Sequence, residues 1–131
     1  MSEENVEVAR RGHDAFNRGD IEGVLADFAP DFEYVAAGAI PGVGGVHRGP
    51  DGYRRFMEAF WDEFDDACLM AHEFTEAGDQ VLVSLTVRGR GKRSGAETTW
   101  TFWQLWTLRD GMVVRGQGFT DRDEALKAVR A

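Results

Sequence analysis

Apolar and polar residues alternate most regularly between residues 80 and 120. From Gln80 to Arg90, Val81, Val83, Leu85 and Val87 share one side, and Leu82, Ser84, Thr86 and Arg88 the other, which is the period of a strand. Two further runs, Thr98–Leu108 and Met112 onward to Asp121, are rich in β-branched and aromatic residues. Between them sits Asp110-Gly111, a pair that tolerates the positive φ of a tight hairpin turn. Upstream the apolar spacing changes to three and four. Val6, Ala9, His13 and Phe16 predict a helix over residues 3–18, with Glu3 and Glu4 at its positive end and Gly19 as a left-handed cap. Asp20 is placed to cap a short second helix that buries Ile21, Val24, Leu25 and Phe28 and is closed by Pro30. Residues 31–37 read as a strand with Phe32, Tyr34 and Ala36 on one face. Gly38 to Gly52 reads as a glycine-rich loop holding a very short strand at Val46-His47. A third helix is expected from Asp51 or Gly52 to about Glu63, its wide aromatic stripe formed by Tyr53, Phe56, Met57, Phe60, Trp61 and Phe64. Residues 67–76 read as a strand, Gly78-Asp79 and Gly89–Gly95 as turns, and residues 121–129 as a terminal helix capped by Thr120 or Asp121. Helices first and a four-strand meander afterwards make an α+β domain.

Length and charge narrow the picture. At 131 residues the chain is one domain (residues 1–131) with enough material for a core. Its net charge of −8 argues against sequence-independent binding to nucleic acid or anionic membrane. No stretch approaches the roughly 20 apolar residues of a membrane span. The one cysteine, Cys68, excludes an internal disulfide and, with a polar, acidic N-terminus, leads to the expectation of a cytoplasmic protein.

The strand 98–108 is apolar on both faces. Trp100, Phe102, Gln104, Trp106 and Leu108 lie on one, and Thr99, Thr101, Trp103, Leu105 and Thr107 on the other. One face packs on the helices. The other, holding Trp103 and Leu105, needs a cover, and a two-fold copy of the chain is the simplest one, so a homodimer is expected. Gln104 interrupts an aromatic row, where an unpartnered amide costs about 1–3 kcal/mol. It is either a core amide bonded to backbone or a polar group aimed into a cavity. Gly116 and Gly118 share a face of the last strand, and if that face is inward their missing side chains leave volume beside Gln104.

At this point the chain resembles the nuclear transport factor 2-like superfamily, and within it the SnoaL-like (polyketide cyclase-like) branch. The resemblance rests on Ala15-Phe16-Asn17-Arg18-Gly19-Asp20, Phe28-Ala29-Pro30-Asp31, His47-Arg48-Gly49, Gly78-Asp79-Gln80-Val81, Ser94-Gly95, Trp106 to Gly111, and Asp121 to Leu126. It implies a curved, mixed, mostly antiparallel sheet wrapped around three helices into a cone, a cystatin-like α+β barrel. It also implies an apolar pocket inside and dimerisation through the outer sheet face. In ketosteroid-isomerase-like members the proton shuttle is an Asp at the end of the first strand, where this chain has Ala36. The first-helix Tyr matches Gly12, beside His13, and the penultimate-strand Asp matches Gln104. Steroid isomerisation is therefore not expected. Polyketide cyclases use an Asp on the last strand, nearest here to Asp121.

Other chemistry is sparse. His13, His47 and His72 lie on separate elements without ligand spacing, so no metal site is expected. There is no phosphate loop and no nucleophile elbow, and no cofactor is implied. His47 precedes the third helix, and histidine is a side-chain type suited to acid–base work. The expectation is a pocket for an apolar or aromatic small molecule lined by His13, Phe16, Tyr34, Phe56, Phe60, Trp100, Phe102, Gln104, Trp106 and Thr120. If catalysis occurs there, it is cofactor-independent cyclisation, isomerisation or dehydration, with His47 or Asp121 moving the proton. A non-enzymatic carrier, or a dimerisation module with a filled core, remain as alternatives.

Overall fold

The structure, a computed structural model, describes residues 2–36 and 45–129. The elements are α1 (Ser2–Asn17), α2 (Ile21–Leu25), β1 (Phe28–Ala36), β2 (Gly45–Arg48), α3 (Gly49–Glu63), β3 (Phe64–Ala77), β4 (Gln80–Gly91), β5 (Glu97–Arg109), β6 (Met112–Phe119) and α4 (Arg122–Ala128). One mixed six-stranded sheet runs β2-β1-β6-β5-β4-β3, with the β1–β6 pair parallel and the others antiparallel. The sheet stays open, but α3 packs against β1 and β2 as well as β3, which stand at opposite ends of the strand order. That is possible because the sheet curves around the helices. The part of the glycine-rich loop expected from Gly38 that falls within residues 37–44 lies outside the described residues, as does the last residue expected for the first strand, Ala37.

Local chemistry accounts for the element ends. Gly19 takes φ 73° after α1, and the Asp20 carboxylate caps α2 by accepting from the Gly23 amide at 2.9 Å. Asp110 and Gly111 take φ of 53° and 79°, the paired left-handed conformation of a tight hairpin. Val81, Val83 and Leu85 are fully buried on the inner face of β4.

Some boundaries differ from the sequence reading. The second helix ends at Leu25; Phe28 opens β1, and Pro30 lies inside that strand, where the pairing with β6 shifts register between Phe28 and Glu33. An irregular strand tolerates a proline whose missing N–H a regular ladder would need. The third helix starts earlier, at Gly49, because Pro50 sits in its first turn, where its N–H is not required. β3 follows α3 directly from Phe64; a left-handed Asp66 (φ 55°) and a register shift between Asp65 and Cys68 let the chain turn without a linker.

The glycines of β6 do not leave empty volume. A Cβ on Gly116 would sit 2.5 Å from Trp106 Cζ3 and 2.7 Å from Tyr34 Cδ1, and one on Gly118 would sit 2.7 Å from Phe102 Cζ and 2.8 Å from Tyr34 Oη. They admit three aromatic rings instead. The outer face also differs. Leu105 is completely buried within the single chain, whose α4 packs on β5 and β6, whereas Trp103 is half-buried. Among the described residues no helix is long and apolar enough to cross a membrane.

Candidate functional site

The interior is built where α1, α3, β1 and β5 converge. Antiparallel pairing sets Gln104 opposite Gly118 and Trp106 opposite Gly116, while the parallel pairing sets Tyr34 beside Gly116. Alternation along β5 then aims Trp100, Phe102, Gln104 and Trp106 inward. His13 comes from α1, one turn before Phe16.

Two partly enclosed voids lie in this region. The smaller, about 30 Å³, touches His13, Gln104 and Trp106 together with Val8, Phe28 and Leu108. The larger, about 50 Å³, is bounded by Tyr34, Phe56, Phe60, Trp100 and Phe102. Phe16, Tyr53, Leu69 and Gln104 border both and form the partition between them. At about 10–15 Å³ per water the voids hold on the order of two and four waters as the side chains stand. A ring-sized guest needs side chains to move, and the half-buried Phe56, Phe102 and Trp100 have the freedom to do so.

The polar groups here are unusual in being unanswered. His13 and Gln104 are each 5% exposed and Trp106 7%. Among the described residues, both His13 ring nitrogens, Gln104 Oε1 and Trp106 Nε1 lack a hydrogen-bond partner. Gln104 Nε2 donates to the Tyr34 hydroxyl at 3.3 Å. Burial drives the His13 pKa down from 6.5 to about 4, opposed by Gln104 and then by Asp14. Gln104 lies close enough to favour the imidazolium, yet the two side chains do not align into a hydrogen bond. The imidazole is therefore neutral at neutral pH, its ring edge on Phe74 at 5.8 Å between centroids. Burial raises Tyr34 to about 12 despite its bond to Gln104, and raises Tyr53 well above the ordinary tyrosine value. Both hydroxyls stay protonated. Among the described residues that border the voids, Asp27 alone carries a charge, and Arg11 holds it at 3.1 Å.

Of the residues expected around a pocket, His13 and Trp106 border the smaller void, Tyr34, Phe56, Phe60, Trp100 and Phe102 the larger, and Phe16 and Gln104 both. Thr120 is exposed and borders neither. Asp121 is exposed at the N-terminus of α4, where its Oδ1 accepts from the Asp123 amide at 2.9 Å. His47 is half-buried on β2, its ring 5.0 Å from that of Phe56, outside both voids. The sequence reading left out Tyr53 and Leu69, which border both voids, and Val8, Phe28 and Leu108 among those that border the smaller one. Tyr53 sits in the stripe of α3, but nothing in a helical stripe marks which members reach a void. His72 lies on the sheet surface against Thr86 Oγ1 at 2.6 Å. Among the described residues no cluster of His, Cys, Asp and Glu forms a metal-binding group.

A family model described as the SnoaL-like domain matches residues 9–116. An NTF2-like protein of unknown function from Burkholderia pseudomallei superimposes with a TM-score of 0.84 at 28% identity, covering 100% of each chain. TerC, co-crystallised with polyporic acid, does so with a TM-score of 0.82 at 29% identity, over 98% of this chain and 99% of its own. A putative SnoaL-like polyketide cyclase from Jannaschia sp. shares the fold, with a TM-score of 0.80 at 21% identity over 100% and 94% of the two chains. None of the curated proteins matches the sequence.

Proposed function

The chain belongs to the SnoaL-like domain family, and from that premise we propose that its aromatic interior receives a small, apolar or aromatic molecule anchored by His13, Gln104 and Trp106. The observation that carries this reading is the set of buried polar atoms without partners around the smaller void. Each such atom costs about 1–3 kcal/mol if it stays dry, so a core selected for stability alone would have replaced or paired it. A site selected for a guest keeps it open. The co-crystallisation of TerC with polyporic acid supports the reading by likeness of fold and sequence. Thermal unfolding with a panel of small aromatic compounds tests it. A ligand at 100 times its Kd adds about 2.7 kcal/mol and raises the melting temperature. A panel that shifts nothing at millimolar concentration sinks the reading.

Proton-transfer catalysis on the bound molecule is the second reading, and His13 is the observation that favours it. A neutral imidazole at the border of a void has a nitrogen free to accept a proton, and Gln104 lies beside it to orient an oxygen. Its low pKa makes it a weak base at neutral pH, where an effective general base is poised nearer 7. Simple binding therefore leads. His47 and Asp121 stand outside the two voids, His47 with its ring against Phe56 and Asp121 at the α4 cap. We also propose pairing of two chains through the outer sheet face at Trp103, with Leu105 already withdrawn into its own chain. Sedimentation at micromolar concentration tests that pairing, and a monomer there overturns it.

A further inference from the structure

We propose that the smaller void is a subsite for one neutral hydroxyl group carried by the aromatic ligand. The proposal rests on the ligand-binding reading above and names which oxygen the site selects.

Hydrogen-bond sense selects the ligand group. The indole Nε1–H of Trp106 only donates, and Gln104 Oε1 only accepts. Neutral His13 has one N–H and one bare nitrogen. If its N–H turns to Gln104 Oε1, the bare nitrogen remains as the open acceptor; if it does not, Oε1 remains. Either way the residues lining the void hold at least one open donor, the Trp106 indole, beside at least one open acceptor, and none of these atoms has a partner among the described residues. A ketone, an ether or a phenolate accepts but cannot answer the open acceptor. A hydroxyl answers both at once. Water does so too, and is the molecule the hydroxyl displaces. A carboxylate or phosphate is disfavoured further, since among the described residues no Lys or Arg borders either void. The ring of such a ligand lies against Phe16 and Leu69, which face both voids.

Two isosteric probes decide the matter. p-Cresol and p-xylene differ by a hydroxyl in place of a methyl. An oily cavity prefers p-xylene, because desolvating a hydroxyl without compensation is unfavourable. Titrations of the 15N-labelled full chain followed by NMR are expected to show p-cresol binding at least about tenfold tighter, roughly the worth of one or two well-made hydrogen bonds. Trp106→Phe is expected to narrow that ratio severalfold, whatever it does to either affinity alone. Should Trp106→Phe fail to fold, the wild-type indole N–H resonance of Trp106 serves instead, moving with p-cresol and not with p-xylene. Equal affinities, or a preference for p-xylene, overturn the hydroxyl subsite while leaving the binding reading intact. Failure of both probes to bind overturns the binding reading and the subsite with it.

Discussion

Two groups of buried polar side chains meet on neighbouring positions of β5, one at Thr107 and one at Gln104 and Trp106, and behave in opposite ways. Thr107 faces Gln80 across the β4–β5 ladder, and Gln80 Nε2 donates to Thr107 Oγ1 at 3.3 Å. Gln104 and Trp106 point to the other face, where His13 joins them and donors and acceptors stand open. The first group is a closed account of polarity that stabilises a strand pair. The second keeps hydrogen-bonding capacity at a cost to the fold. Burial is nearly the same in both, so burial alone does not mark a site; the unanswered atoms do.

The largest effect that sharpens this contrast is on pH dependence. His13 has a folded pKa of about 4 against 6.5. Between those values the unfolded chain binds more protons than the folded one, so stability rises with pH there. The contribution is fully present above about pH 6.5 and fades as pH falls toward 4. Urea denaturation is expected to show the wild type losing about 3 kcal/mol more between pH 7 and pH 4 than His13→Phe loses. Parallel pH curves for the two proteins would remove His13 from the set of open groups.

Filling the inward face comes next. Gly116→Ala drives a Cβ into Trp106 and Tyr34 and is expected to cost about 1–3 kcal/mol by overpacking. Gly12→Ala, whose Cβ meets nothing within 4 Å, is expected to stabilise α1 by about 0.5–1 kcal/mol. Calorimetry of the two variants reads both signs, and a harmless Gly116→Ala would mean that the rings have room to retreat.

The paired and unpaired amides should then part company. Gln80→Leu strands the Thr107 hydroxyl and is expected to cost about 1–2 kcal/mol in chemical denaturation. Gln104→Leu combined with Tyr34→Phe removes both partners and one open carbonyl, so it is expected to be neutral or stabilising while weakening ligand binding. Equal losses in the two cases would erase the distinction.

The smallest effect concerns the outer helix. Asp121→Ala removes the cap of α4 and is expected to cost about 1 kcal/mol, most of which Asp121→Asn keeps, because an amide oxygen accepts from the Asp123 N–H equally well. Loss of stability in Asp121→Asn as large as in Asp121→Ala would show that the carboxylate does more than cap.

Much of this molecule is written in short-range pattern. Alternation in β4 and β5, the Asp110-Gly111 turn, the Gly19 cap and the aromatic stripe of α3 each depend on residues a few positions apart, and so each was legible from the chain alone. The family likeness was legible too, since it resides in the order of such local signals. What lay beyond reach depends on residues far apart in sequence. Pro30 reads as a helix stop until its strand is seen to be irregular against β6. Gly116 and Gly118 read as empty space until Tyr34, Phe102 and Trp106 arrive from two other strands. Leu105 reads as an exposed patch, yet it is completely buried within its own chain. Asp121 reads from the sequence chiefly as a helix cap, with an acid–base role beside it, and the fold places its oxygen on the Asp123 amide. Above all, His13 and Gln104 are ordinary residues 91 positions apart. Their meeting in a buried, aromatic interior lowers the His13 pKa and leaves their atoms open, because desolvation is a property of the packed surroundings and not of any local stretch.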